Sequence, residues 1–572
     1  MTNRWIYNPL SKEQFDIQNK LSEELNISPI LSSLLVQRNI FSFEDARCFF
    51  RPDLADLHDP FLMADMDKAV NRLTEAIRNN EKILVYGDYD VDGTTSVSLV
   101  YKFIRKFYNN VFFYIPDRYK EGYGISYQGI DYAVKNKIEL VIALDCGIKA
   151  IEKIKYANEH EVDFIICDHH TPDIELPGAI AVLDPKRSDC NYPYKELSGC
   201  GVGFKLLQAF AQINQIDFDA ELAPLLDLVA LSIASDIVPI TGENRILAYY
   251  GLQRLNKHPS VGIKSILDVC GLTDKEITIT DIVFKIGPRI NASGRMKLAT
   301  EAVELMVSND PGFAKQKSNK INQYNNDRKD LDKNITDEAI RIIDSDPVLA
   351  KKKSIVVFKP DWHKGVIGIV ASRLSEEFYK PSVVLSSSKG FASGSARSVP
   401  GFDIYSAIDS CRDLLENFGG HRYAAGLTLK EENIEQFADR FEAYVAANIT
   451  QEQLSPQINV DAFITFKDIT PKFFSVLKQF GPFGPGNMNP VFVTKKVMDY
   501  GSSRLVGKDQ EHLKLELVDS SSENVMNGIA FGMHEFNDHL KSMKPLDICY
   551  TLEENTYMGN TNIQLMIKDI KV

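Results

Sequence analysis

The sequence predicts an α/β protein in which a largely parallel sheet is joined by a long helix to a second α/β region, followed by a small β-barrel. Three observations predict it. Between residues 80 and 240, short apolar runs ("KILVYGD", "VFFYIPD", "ELVIALDCG", "DFIICDHH", "AIAVLDP") alternate with amphipathic stretches of helix length. That is the pattern of crossover units building a parallel sheet. Residues 313–345 are polar and helix-forming with a thin apolar stripe, as suits a helix bridging two domains. From about residue 456, short alternating strands such as "KLELVD" and "NIQLMIKDIKV" are separated by Gly and Asn turns, which suits a closed barrel.

Taken in order, residues 1–75 form an N-terminal helical region, with apolar spacing in "SPILSSLLVQRNI" and a capping start at "SFEDARCFF". The Pro-containing "FRPDLADLHDPF" interrupts that pattern. Residues 76–255 hold the parallel sheet and 256–345 a helical connector. Residues 346–450 form the second α/β region, from "KSIVVF" through "GFASGSARS" and "NFGGHRYAAGLTL" to the helical "EENIEQFADRFEAYVAANI". Residues 455–572 form the barrel.

At 572 residues the chain exceeds one hydrophobic core. Its composition, 44% apolar and 25% charged, is that of a globular protein, and no apolar run reaches the ~18 residues of a membrane span. The start lacks the basic and apolar regions of a signal peptide, so a cytoplasmic location is expected. The eight cysteines include no CxxC pair, which argues against structural zinc or a disulfide framework. A net charge of -13 disfavours nucleic acid on average, but a basic cleft or bound cations can reverse the balance locally.

The chemistry-bearing residues gather at segment ends. "KILVYGDYDVDG" delivers Asp88, Asp90 and Asp92, "ELVIALDCG" delivers Asp145, and "DFIICDHH" delivers Asp168, His169 and His170. "LVALSIASDIVP", read as a further strand, ends in Asp236. In open α/β sheets ligands bind at the carboxyl edge of the strands. A single DxD is usually a turn or a helix cap, and a His pair an ordinary loop feature. Four such ends together predict a divalent metal site, because crowded carboxylates repel one another unless cations compensate. Hard oxygen ligands with imidazole suit Mn2+ or Mg2+.

In order and spacing, "GDYDVDG", "ALDCG", "CDHH" and "ASDIVP" resemble the motifs of the DHH phosphoesterase superfamily. "IPDRYKEGYG", "IGPRINASGRM", "DWHKGVIGIVASRL", "GSARS", "GGHRYAAG" and "FGPFGPGN" extend the resemblance to its RecJ-type exonucleases over nearly the whole chain. One position departs: where much of the superfamily has His four residues before the first of two ligand aspartates, this chain has Tyr86, which makes Asp88 the substitute ligand.

The resemblance implies a DHH catalytic domain, a DHH-associated substrate-binding domain and an OB-like nucleic-acid-binding domain. It implies a 5′→3′ exonuclease specific for single-stranded DNA, acting in recombination and repair. Two divalent ions, Mn2+ or Mg2+, would be held by Asp88, Asp90, Asp92, Asp145, His169, His170 and Asp236. Catalysis falls to Asp90, Asp145, His169 and His170, the last either completing the metal shell or serving as an acid, with Asp168 orienting an imidazole. Arg118, Ser395, Arg397, Gly420 and His421 are expected at a terminal phosphate, and Arg289, Asn291 and Arg295 at nucleotides near the scissile bond. The ordinary alternative for these arginines and glycines is surface solvation and turns. Tyr500, Arg504, Lys508, His512 and Lys514 are candidates for tracking the strand on the barrel, or a merely solvated surface. Phe480, Pro482, Phe483 and Pro485 read as a packed turn. The expected state is a monomer working on single-stranded DNA, with single-strand-binding protein and a helicase as partners. Rival readings are a phosphodiesterase for short oligonucleotides or cyclic dinucleotides, an inorganic pyrophosphatase, and a non-catalytic nucleic-acid-binding adaptor.

Overall fold

The computed structural model describes residues 3–388, 390–521, 524–557 and 559–572. The chain divides into two compact units. One contains Trp5–Gly287, Val303–Lys315 and Ile458–Val572; the other is built on Pro288–Ala302 and Gln316–Gln457.

In the first unit, five strands form a wholly parallel sheet in the order Val111–Tyr114, Ile83–Gly87, Leu140–Leu144, Asp163–Cys167, Ala181–Leu183. The chain starts in Ile83–Gly87, adds a strand on one side, and then reverses to add the remaining three on the other. The crevice beyond the ends of Ile83–Gly87 and Leu140–Leu144 is therefore a topological switch point, where doubly wound sheets leave room for a ligand. Both of these strands are buried along their whole length. Helix Val91–Phe107 packs on one face beside Gly199–Ile213 and Leu226–Ser235.

Leu226–Ser235 corrects one expectation: "LVALSIAS" is a helix, and Asp236 is its C-cap residue rather than the end of a strand. A continuously apolar segment carries no periodicity that tells a buried helix from a buried strand.

The N-terminal helices Lys12–Leu25, Pro29–Gln37 and Phe43–Phe50 belong to the same unit. Ser42 and Asp45 form the capping box of the third. Leu31, Leu34 and Leu35 share a core with Leu513, Leu515 and Ile548 of the C-terminal barrel, so the two ends of the sequence fold around one interior. In that barrel Phe492–Asp499 pairs with both Leu546–Tyr557 and His512–Val518, closing the sheet on itself as OB-folds do.

In the second unit the sheet runs Leu415–His421, Ala424–Lys430, Phe391–Arg397, Ser382–Ser388, Ile355–Phe358, antiparallel except for its last pair. Helix Ile434–Asn448 covers one face through Phe437 and Phe441, and helix Ile367–Phe378 packs elsewhere on the sheet. Among the described residues no helix is long and apolar enough to cross a membrane.

Candidate metal centre and nucleic-acid interface

The acidic residues reach the switch point by different local routes. Asp90 is the N-cap of helix Val91–Phe107, its Oδ1 accepting from Gly93 N at 3.0 Å. Asp92 lies within the first turn and is fixed from across the crevice. Its two oxygens accept from the Gly199 and Cys200 amides at 2.7 and 2.8 Å, at the N-terminus of helix Gly199–Ile213, and from Ser232 Oγ at 2.7 Å. Such a helix end favours negative charge. Asp145 adopts the left-handed region (φ 57°) just past its strand. A Cβ at position 199 would lie 2.6 Å from the Asp145 Cβ, so only glycine lets this close approach occur.

His169 sits among them. Its Nε2 is 3.2 Å from Asp145 Oδ1, 3.5 Å from Asp236 Oδ2 and 3.8 Å from Asp92 Oδ2. Donor atoms of Asp145, His169 and His170, and separately of Asp92, His169 and Asp236, lie within 4.8 Å of one another. Asp88 is buried behind them, its Oδ1 facing the Gly124 amide at 3.4 Å.

The electrostatics follow from this crowding. Burial, reinforced by neighbouring carboxylates, holds Asp88 and Asp145 well above the usual carboxylate range and raises Asp90. Asp236 is pushed up to about 8 by burial and by Asp92 and Asp90. Burial lowers the pKa of His169, which leaves the ring neutral with a lone pair available. His170 differs. Burial opposes its charge, but its Nδ1 donates to Asp168 Oδ1 at 2.7 Å, which brings His170 to about 9 and Asp168 down to about 2.

These residues fit a divalent cation. Both ring nitrogens of His169 are buried without a hydrogen-bond partner, and Asp145 and Asp236 beside it are carboxylates whose charge the protein alone does not offset. A cation held by Nε2 and these carboxylates would give that nitrogen a partner and offset their charge.

Tyr86 is not at this centre. Its hydroxyl donates to Gly124 O at 2.9 Å and accepts from Ser126 N at 3.2 Å, bracing the loop that follows the neighbouring strand. Sequence reading missed Tyr123, whose hydroxyl lies 3.2 Å from Asp145 O and 3.3 Å from His170 Nε2. It also missed Asp184, fully buried after strand Ala181–Leu183 and pushed up to about 7 by burial. Asp184 carried the same signal as the others, a carboxylate at a strand's carboxyl end. Tyr123 carried none.

Arg118, on the loop after Val111–Tyr114, stacks 4.7 Å above the Tyr89 ring. In the other unit Ser395 and Arg397 share one face of a strand, with Arg397 Nη1 donating to Ser395 Oγ at 2.9 Å. Gly368, at the start of helix Ile367–Phe378, faces them: a Cβ there would be 3.1 Å from Ser395 Oγ. An arginine, a hydroxyl and a helix start without a side-chain cap are groups of the kind from which anion sites are built. Gly420 and His421 end strand Leu415–His421 in a tight hairpin, paired with Ala425 and Ala424. Arg289, Asn291 and Arg295 lie on helix Gly287–Met296. Arg289 Nε donates to Asn322 Oδ1 at 2.9 Å and Arg295 Nη1 to Gly365 O at 3.1 Å.

On the barrel, Arg504 and Lys514 are directly opposed across two strands, on the face away from buried Leu513. Like charges so placed repel, a cost a polyanion would relieve. Tyr500 is exposed near them in sequence, Lys508 lies in the turn between their strands, and His512 packs edge-on to Phe531 at 4.9 Å. Phe480 is fully buried against Phe49 and Phe50, so its segment is a packed turn.

Comparisons with known proteins agree with this arrangement. Residues 82–233 match the DHH family, N-terminal domain; residues 351–447 the DHHA1 domain; residues 460–569 the RecJ OB domain. The chain is 37% identical over 572 residues to the single-stranded-DNA-specific exonuclease RecJ of Bacillus subtilis, covering 98% of this chain and 71% of that protein. It is 32% identical to the Haemophilus influenzae RecJ, covering 98% and 99%. Among solved structures, RecJ of Thermus thermophilus in complex with Mn2+ superposes with a TM-score of 0.85 at 25% identity, covering all of this chain and 79% of that one. With three matched domains in the same order and an acidic centre at the switch point of the first, the chain belongs to the RecJ family of DHH-superfamily exonucleases.

Proposed function

We propose that the protein is a metal-dependent exonuclease that degrades single-stranded DNA from its 5′ end, hydrolysing phosphodiester bonds to release 5′-mononucleotides. The observation that carries the reading is the convergence of Asp92, Asp145, His169 and Asp236 around one imidazole nitrogen. Asp88, Asp90, Asp92, Asp145, His169, His170 and Asp236 would hold two divalent ions, Mn2+ or Mg2+. When bound, such ions lower the pKa of water and offset charge on the phosphoryl and leaving oxygens.

The chain's own residues orient the reaction. The Gly199 and Cys200 amides keep Asp92 in one rotamer. Asp168 fixes His170 through Nδ1, which leaves Nε2 aimed as a ligand or as the acid for the departing oxygen. Arg118 is suited to phosphate or sugar contacts in its own unit. Ser395 and Arg397 would take a terminal phosphate, with Gly420 and His421 at the neighbouring hairpin. Arg289, Asn291 and Arg295 would contact backbone nearer the cut bond. The barrel face of Arg504 and Lys514 would hold unpaired strand. A cytoplasmic role in recombination and repair, alongside single-strand-binding protein and a helicase, fits this activity.

The test is release of mononucleotides from 5′-phosphorylated single strands, duplex DNA, dinucleotides and pyrophosphate, with Mn2+ and Mg2+ in parallel. Long single strands are expected to be hydrolysed fastest. Preference for dinucleotide or pyrophosphate would overturn the reading.

A further inference from the structure

Asp236 is the ligand candidate least supported by its own element. It caps the end of helix Leu226–Ser235, and the next residue, Ile237, adopts φ 60° while 64% exposed. A β-branched residue in the left-handed region persists only where the surroundings impose it. The strap that follows is held downstream, at residues 239–241, where Tyr194 Oη also donates to Pro239 O at 3.2 Å. Ile240 N donates to Pro485 O at 2.7 Å, and Pro239 O accepts from Asn244 Nδ2 at 3.0 Å. Pro485 belongs to the turn at residues 480–487, which leads into the barrel strand Phe492–Asp499. Close approach there requires glycine: a Cβ on Gly484 would lie 2.5 Å from Ile240 Cγ1.

The turn itself is rigid. Buried Asn487 donates through Nδ2 to Phe480 O at 2.7 Å and Pro482 O at 2.9 Å. Arg245, on the helix after the strap, donates to Phe480 O and Gly481 O at 2.9 Å each.

We infer that the turn at residues 480–487 is a positioning element for Asp236, acting through the strap at residues 237–241. A turn within the barrel domain thereby sets the geometry of one metal ligand. This rests on the proposed reading of Asp236 as a ligand. The turn acts without touching the carboxylate or DNA. It fixes where the helix end and its side chain can be.

The experiment uses the full chain. Gly484→Ala is expected to raise the Kd for Mn2+, read by titration calorimetry without DNA, and the Mn2+ concentration giving half-maximal hydrolysis about tenfold, the scale of lost support behind a metal ligand. The KM for single-stranded DNA at saturating Mn2+ is expected to hold, while the melting temperature in chelator is expected to fall by a few degrees through the clash with buried Ile240, so binding and activity are read well below that transition. Adding Ile240→Ala to Gly484→Ala removes the atom the new Cβ meets and is expected to restore Mn2+ dependence to within about twofold. Asp236→Asn, measured alongside, separates the two claims. If it shifts Mn2+ dependence and Gly484→Ala does not, the positioning role is overturned while the ligand assignment stands. If Asp236→Asn leaves Mn2+ dependence unchanged, the ligand assignment fails and the positioning role with it. Failure of the double variant to recover also overturns the positioning role.

Discussion

The two sheets of this protein carry opposite charge at their candidate sites. The parallel sheet gathers carboxylates beyond its strand ends, where buried Asp88 and Asp145 are held well above their usual pKa range. The second sheet presents Ser395 and Arg397 on a strand face opposite a helix start, the groups proposed above for a terminal phosphate. The first is electrostatically unfinished without cations; the second needs none. On the proposed reading, chemistry and grip on the substrate fall to different sheets, so substitutions in each should fail in distinguishable ways.

The sharpest separation is in rate. Asp145→Ala should lower kcat about a thousandfold, equivalent to several kcal/mol of lost charge stabilisation, in steady-state assays at saturating Mn2+. Near-normal turnover would break the contrast at its first term. Arg397→Ala should instead cost about 10- to 100-fold in kcat/KM, mostly through KM, as expected for a lost hydrogen bond to a charged group. The loss should shrink for strands with a 5′ hydroxyl; an equal loss on both ends would remove the terminal-phosphate role.

Stability against pH tests the unfinished charge directly. A carboxyl whose folded pKa is raised binds its proton more tightly in the folded state. The contribution of Asp236 is therefore fully present below the unfolded value of 3.8 and lost as pH rises through about 8. Melting in chelator should fall over that window, and Mn2+ should flatten the fall by binding the charged form. A pH-independent melting temperature in chelator would contradict the crowding at this centre. The smallest effect belongs to the barrel: Lys514→Ala should weaken single-strand binding about two- to fivefold and reduce the salt slope by about one.

Much of this was legible in the sequence, for a physical reason. A parallel strand is a short apolar run, and the residue after it lies at the carboxyl edge whatever the rest of the fold does. Asp88, Asp145 and His169 could therefore be placed from "KILVYGD", "ELVIALD" and "DFIICDHH". Asp236 was found on a misread element. "LVALSIAS" is apolar all round, and burial on every side erases the period that separates helix from strand. Tyr123 was missed because an aromatic in a loop has no positional signature until the loop closes over His170.

Local pattern thus determined which segments form the sheets and barrel, and which residue types wait at the ends of the parallel strands. Tertiary structure alone decided that the N-terminal helices share a core with the C-terminal barrel, that Gly199 must be small to admit Asp145, and that Pro485 pins the strap behind Asp236. The reason is range. Strand and helix periods are written over a few neighbouring residues, whereas these contacts join residues tens to hundreds of positions apart, whose pairing only the packed chain defines.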